Sequence, residues 1–160
     1  MSRLVQLRVY RFDEGVNFDG GLISAIERLQ LGGHGELLDA LVVLRDAQTG
    51  EIDAVDMATG ARGATVAALL DFRLDPRRRR AITERTLAEH TGGVPRAAIE
   101  ATGDALAPGA AVLAVLHAGD PPDVLEEAVA RSGGRAVATE PVEAGSLAAV
   151  AERVTAAASA

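Results

Sequence analysis

The chain has 160 residues, 48 % of them hydrophobic, which is long enough to bury a core and is typical of one domain, residues 1–160. Cysteine is absent, which excludes disulfides, thiol nucleophiles and thiolate metal sites. The formal net charge of −7 disfavours nucleic acid as a general partner, because nucleic-acid binding depends on neutralising phosphates.

The N-terminal segment 3–12, "RLVQLRVYRF", alternates apolar and polar residues, which predicts a strand with one covered face. It lacks the long apolar block of a signal peptide, and no stretch reaches the ~20 apolar residues that span a bilayer. We therefore expect a soluble, cytoplasmic protein without membrane insertion. Residues 22–31 follow, with Leu22, Ile26 and Leu29 at the spacing of a helix.

Residues 36–58 predict a hairpin with its turn at Thr49–Gly50. Its second arm has no uniformly apolar side, which favours an edge strand. A short helix-length run at 60–72 comes next. Asp75–Pro76 is a strong helix start, and that helix runs to residue 90.

The C-terminal half predicts a helix over 94–106 and a continuously apolar strand over 108–119, which is either covered on both faces or central in a sheet. An amphipathic helix (120–134), a strand (135–142) and a closing helix complete the chain, with residues 156–160 expected to fray. This order predicts an α+β fold with a mixed or antiparallel sheet and helices packed on one face. The nearest common plan is the ferredoxin-like βαββαβ arrangement.

Four consecutive arginines begin the helix that follows Pro76: Arg77, Arg78, Arg79 and Arg80. They cover a full helical turn, so they cannot all point one way, and the helix dipole disfavours cations there. Acidic residues of the hairpin and Glu84 offer partners within the chain. We expect a solvated or ion-paired helix face, with an acidic protein partner or an anion as the alternative, and nucleic acid as the weakest candidate.

The three histidines have no partner at metal-ligand or catalytic spacing. His34 lies between glycines and His90 near a helix end, whereas His117 ends the apolar strand, where sheets often present functional groups. A structural strand-end histidine is one interpretation of His117, and a contact for an anionic ligand is the other. The glycine pairs form no nucleotide-binding loop, so the sequence predicts no cofactor, no metal and no catalytic constellation.

Two segments have patterns of apolar residues, proline and glycine that are typical of a known family. The first has Leu106, Pro108–Gly109 and the apolar run Val112 to Leu116, with Gly133–Gly134 after the next helix. The second is the hairpin "ELLDALVVLRDAQTGEIDAVDM". Together they resemble an uncharacterised bacterial family, some of whose members are described as general-stress or membrane-associated proteins. The resemblance implies a ferredoxin-like α+β fold and oligomerisation, and brings no active site. Relatives carry a long apolar hairpin where this chain has only 60–72.

Two hypotheses about function follow. The first is a non-enzymatic, stress-related module that self-associates as a homo-oligomer or binds another protein. The second is a protein or enzyme that binds a small anionic ligand in a pocket near His117, with arginine as the counter-charge. A cleft with converging polar groups of shifted pKa would favour the second hypothesis.

Overall fold

A computed structural model describes most of the chain: residues 5–13, 35–56, 77, 80, 81, 83, 84, 94–119, 123–143 and 147–159. The helices predicted over 22–31 and 60–72 lie outside the described residues, as do His34 and His90. Among the helices of the described ranges, none has both the length and the apolar character needed to cross a membrane.

Five strands and three helices make up the described fold, together with helical residues at 77, 80, 81, 83 and 84. They are β1 (Val5–Phe12), β2 (Gly35–Arg45), β3 (Ile52–Asp56), α1 (Arg96–Asp104), β4 (Ala111–Gly119), α2 (Asp123–Arg131), β5 (Gly134–Val142) and α3 (Ala151–Ala158), with a 3₁₀ turn at Leu147–Val150 before α3. The predicted strands and the helices at α1, α2 and α3 are confirmed, with their ends shifted by a few residues. The α+β class is confirmed too.

The strands form one sheet in the order β3-β2-β4-β1-β5, and every pair of neighbours is antiparallel. The apolar strand β4 is central and is buried from Ala111 to Ala118, as its continuous apolar run predicts. The hairpin arm β3 lies at an edge, also as predicted. Gly50 closes the hairpin with a positive φ of 73°, which glycine adopts without a Cβ clash.

One face of the sheet carries α1, the 3₁₀ turn and α3. Alternate residues of β1 and β4, among them Leu7, Val9 and Leu116, join Ile99 of α1 and Val154 of α3 in one core cluster. Helix α3 extends into the segment 156–160, for which the sequence predicts fraying. The helix continues to Ala158 and buries both Ala157 and Ala158, because the end of α3 packs on the core cluster.

Helix α2 lies on the opposite face, so the expectation of helices on one face only is wrong. Tyr10 of β1 is fully buried and donates its hydroxyl to Glu126 of α2. Phe12, on the same side of β1, also lies near α2: a Cβ on Gly134 would lie 2.5 Å from Phe12 Cε1 and 2.8 Å from Val129 Cγ1. Both faces of β1 are therefore covered, although its alternating pattern predicted only one.

Helix α1 approaches the edge of the sheet closely at Gly103. A Cβ there would lie 2.6 Å from three side-chain carbons of Ile52 in β3. In the sequence this glycine only weakens a helix. In the fold, the absence of a side chain lets α1 pack directly on the edge strand.

Candidate functional site

The face of the sheet that α2 covers carries a cluster of polar and ionisable side chains. Gln6, Arg8 and Tyr10 alternate along β1 with the core residues Leu7 and Val9, so all three point toward α2. His117 of β4 is directly opposite Gln6 across the ladder and therefore shares that face. We call Gln6, Arg8, Tyr10, His117 and Glu126 the Arg8 cluster.

Arg8 is the centre of the cluster and makes three hydrogen bonds with its guanidinium group. Its Nε donates to His117 Nε2 (2.9 Å), its Nη1 to Glu126 Oε1 (2.6 Å) and its Nη2 to Gln6 Oε1 (3.2 Å). The Arg8 side chain is 13 % exposed and that of Glu126 is 35 % exposed. The carboxylate thus lies on the solvent side of a mostly buried cation.

The Tyr10 hydroxyl donates to the same carboxylate oxygen, Glu126 Oε1, at 2.8 Å. Burial raises the pKa of the Tyr10 phenol well above its usual range, and the hydrogen bond and negative charge of Glu126 raise it further. Tyr10 therefore remains a neutral donor. Two donors that are two residues apart on one strand, Arg8 and Tyr10, converge on a single oxygen.

His117 is 1 % exposed, and its Nε2 is the ring nitrogen that has a hydrogen-bond partner among the described residues. A guanidinium can only donate, so Nε2 of His117 accepts and the neutral ring carries its proton on Nδ1. Burial lowers the pKa of His117, and the positive charge of Arg8 lowers it further, which keeps the ring neutral. Within the described part of the chain, Nδ1 is buried without a hydrogen-bond partner, which costs about 1–3 kcal/mol.

The sequence identified His117 but not its surroundings. His117 does not end the strand, because it lies two residues before the end of β4. The arginine that contacts its side chain is Arg8 of β1. Arg8, Tyr10 and Glu126 were missed. The available signal was the polar side of β1, which resembles a solvent-facing side until a helix is known to cover it.

Arg80, the last residue of the arginine run, lies elsewhere, at the β3 edge of the sheet. Arg80 Nη1 donates to the Ile52 carbonyl and to Asp53 Oδ1, both at 3.0 Å. The Ala54 backbone N–H donates to Thr83 Oγ1 at 2.9 Å. These contacts cover the outer edge of β3, and they confirm for Arg80 the expected ion pair with the acidic hairpin.

Of the other arginines of the run, the structure describes Arg77 alone. Arg77 is helical and exposed, whereas Arg78 and Arg79 lie outside the described residues. A cleft of about 330 Å³ opens beside Arg80, between β3 and α1. Its lining mixes both charges with isoleucine: Glu51, Ile52, Arg80, Arg96, Ile99, Glu100 and Asp104. Both arginines of the lining are paired: Arg80 with Asp53, and Arg96 with Glu100.

In the described ranges, no group of three or more His, Asp or Glu side chains is arranged to hold a metal ion. No family model, no curated protein and no solved structure matches this chain. The chemistry of the Arg8 cluster is therefore the main guide to what the protein does.

Proposed function

We propose that the protein binds a small organic carboxylate at the Arg8 cluster. The observation that carries this proposal is the convergence of Arg8 Nη1 and the Tyr10 hydroxyl on one carboxylate oxygen, at 2.6 and 2.8 Å. Because Arg8 and Tyr10 already bind one carboxylate oxygen as a charged and a neutral donor, the same two donors suit the carboxylate of a ligand. This develops the hypothesis of an anionic ligand near His117, with Arg8 in place of the arginine run.

Apart from the carboxylate of Glu126, the charges of the cluster favour a monoanion over a cation. His117 and Tyr10 are both neutral because their pKa values are shifted away from charge, so Arg8 is the one positive group of the cluster. Donors are also in excess. Arg8 has five N–H groups, of which three are used in the described contacts, and His117 Nδ1 adds another. A ligand that accepts hydrogen bonds can bind these unused N–H groups, whereas an ammonium ligand, which only donates, cannot.

The first prediction tests this binding through Tyr10, which is the only tyrosine in a chain without tryptophan. Its fluorescence reports the site directly. We expect a saturable change with acetate or succinate and none with methylammonium at the same ionic strength. Arg8→Gln should weaken the binding about 10- to 100-fold, because a hydrogen bond to a charged group contributes about 1.5–3 kcal/mol.

Arg96→Gln is the matched control, because it removes an exposed arginine of α1 whose ion pair among the described residues is with Glu100, four positions further along the helix. This variant should bind as the unmodified chain does. Carboxylate binding of equal strength in the Arg8→Gln and Arg96→Gln variants would refute the proposed site. Phosphate in the same titration separates a site for carboxylates from one for any small anion.

Self-association, a protein partner, a stress role, a cytoplasmic location and the ferredoxin-like plan remain predictions. The described sheet has five strands, one more than that plan. Strand addition between copies is disfavoured at both edges. Arg80 and Thr83 cover β3, while β5 contains Pro141 and an irregularity where Val9 and Tyr10 pair with it. Copies that associate would have to use other surfaces.

A further inference from the structure

We propose that Glu126 is a built-in competitor that occupies the carboxylate position of the Arg8 cluster until a ligand displaces it. This inference depends on the proposed carboxylate binding and adds how the site is controlled. Glu126 belongs to α2, whereas both of its donors belong to β1. The free chain therefore satisfies its ligand-binding donors with a side chain from another element.

The geometry of the contact is that of a replaceable anion. Arg8 and Tyr10 both use Oε1 of Glu126, and Oε2 has no partner in the described part of the chain. Arg8 directs its Nη2 to Gln6 instead. An arginine and a carboxylate bind most strongly as a two-oxygen pair. A free carboxylate, which is not tied to a helix, can adopt that pairing where Glu126 does not.

Displacement of Glu126 does not require α2 to leave the sheet. Leu125, Ala128 and Val129 of α2 are buried and keep the helix in place independently of the ion pair. The Glu126 side chain is one-third exposed, so it can rotate into solvent while Arg8 and Tyr10 stay where they are. Binding is thus an exchange of one carboxylate for another at fixed donors.

A competitor that is part of the chain lowers the apparent affinity, because only the fraction of molecules with Glu126 turned out is competent to bind. Removing the competitor should raise acetate affinity. We expect Glu126→Ala to bind acetate about tenfold more tightly than the unmodified chain, as for a site that is open about one-tenth of the time.

Two further variants separate competition from a general charge effect. Glu127→Ala removes the same charge from the next residue of α2, which is exposed, and should leave acetate affinity unchanged. Glu126→Gln keeps the shape of the competitor but weakens its hydrogen bonds. Its acetate affinity should fall between those of the unmodified chain and Glu126→Ala. Circular dichroism melting of each variant verifies that it is folded, and Tyr10 fluorescence measures the acetate titration.

The outcomes distinguish this inference from the proposed function. If the unmodified chain binds acetate but Glu126→Ala binds no more tightly, the competitor role is wrong and the site remains. Equal gains in Glu126→Ala and Glu127→Ala would reduce the effect to net charge and overturn the inference. If a folded Glu126→Ala and the unmodified chain both fail to bind any carboxylate, the proposed function fails as well. Should Glu126→Ala not fold, the Glu126→Gln titration decides: a gain over Glu127→Ala supports competition, and no gain overturns it.

Discussion

Tyr10 shows how one strand residue can be placed by packing and chemistry together. Its ring is fully buried on the face that α2 covers, and its hydroxyl has the partner that a buried phenol needs, Glu126 Oε1 at 2.8 Å. The same two facts raise the pKa of Tyr10. Burial penalises the phenolate, and the carboxylate stabilises the protonated form as an acceptor while repelling the charged form.

The alkaline titration of Tyr10 tests this directly. In the folded chain the near-ultraviolet phenolate absorbance should rise at a higher pH than in the urea-unfolded chain, where the midpoint should be about pH 10. The folded pKa lies above the unfolded pKa, so this group's stabilisation is lost as pH rises through that interval. Coincident folded and unfolded titrations would contradict the buried hydrogen bond between Tyr10 and Glu126.

At the scale of single residues, the sequence led to His117 but not to Arg8, Tyr10 or Glu126. A histidine is unusual in an apolar run, so the sequence alone is enough to single out His117. The other three residues lie on two segments more than 100 positions apart, and each has an ordinary polar interpretation by itself. Their meeting depends on which face α2 covers, and no local spacing encodes that choice.

The elements of the fold follow the sequence more closely, because hydrophobic periodicity and turn residues act locally. Strand β4 is continuously apolar and central, and the hairpin turns at Gly50 as predicted. The side on which each helix packs is a tertiary property. The prediction failed for α2, whose buried residues Leu125 and Val129 fit either face of the sheet equally well.

The contact between Arg80 and β3 predicts that Arg80→Gln lowers the free energy of unfolding more than Arg96→Gln does. Arg80→Gln removes the donor for the Ile52 carbonyl and for Asp53, whose side chain is only 9 % exposed. We expect a loss of about 1 kcal/mol in the free energy of unfolding, since Arg80 itself is 41 % exposed and solvent weakens the pair. Urea denaturation followed by circular dichroism measures this loss.

Arg96→Gln is the matched comparison for Arg80→Gln. Its pair with Glu100 is an exposed i,i+4 contact on α1, which contributes at most about 0.5 kcal/mol. If both substitutions changed the free energy of unfolding equally, Arg80 would be a solvated surface residue and the β3 edge would not depend on it.

At the scale of the whole molecule, the Arg8 cluster joins the centre of the sheet to α2. His117 belongs to the central strand β4, Arg8 to its neighbour β1 and Glu126 to the helix above them. Charging His117 would place a second cation 2.9 Å from Arg8 Nε and remove the lone pair that accepts this hydrogen bond. The protonation state of His117 therefore affects the contact between Arg8 and Glu126, which helps to hold α2 on the sheet.

Stability should accordingly fall on mild acidification. The folded pKa of His117 lies below the unfolded value of 6.5, so the unfolded chain binds the proton first as pH falls. The contribution of His117 is fully present above pH 6.5 and is lost between that pH and the lower folded pKa. His117→Gln keeps an acceptor for Arg8 but cannot titrate, so its melting temperature should depend less on pH from about 7.5 to 5. The other histidines are common to both chains, so their effects cancel when the two pH dependences are subtracted. If the melting temperature changed equally with pH in both chains, His117 would not be held neutral by burial and Arg8.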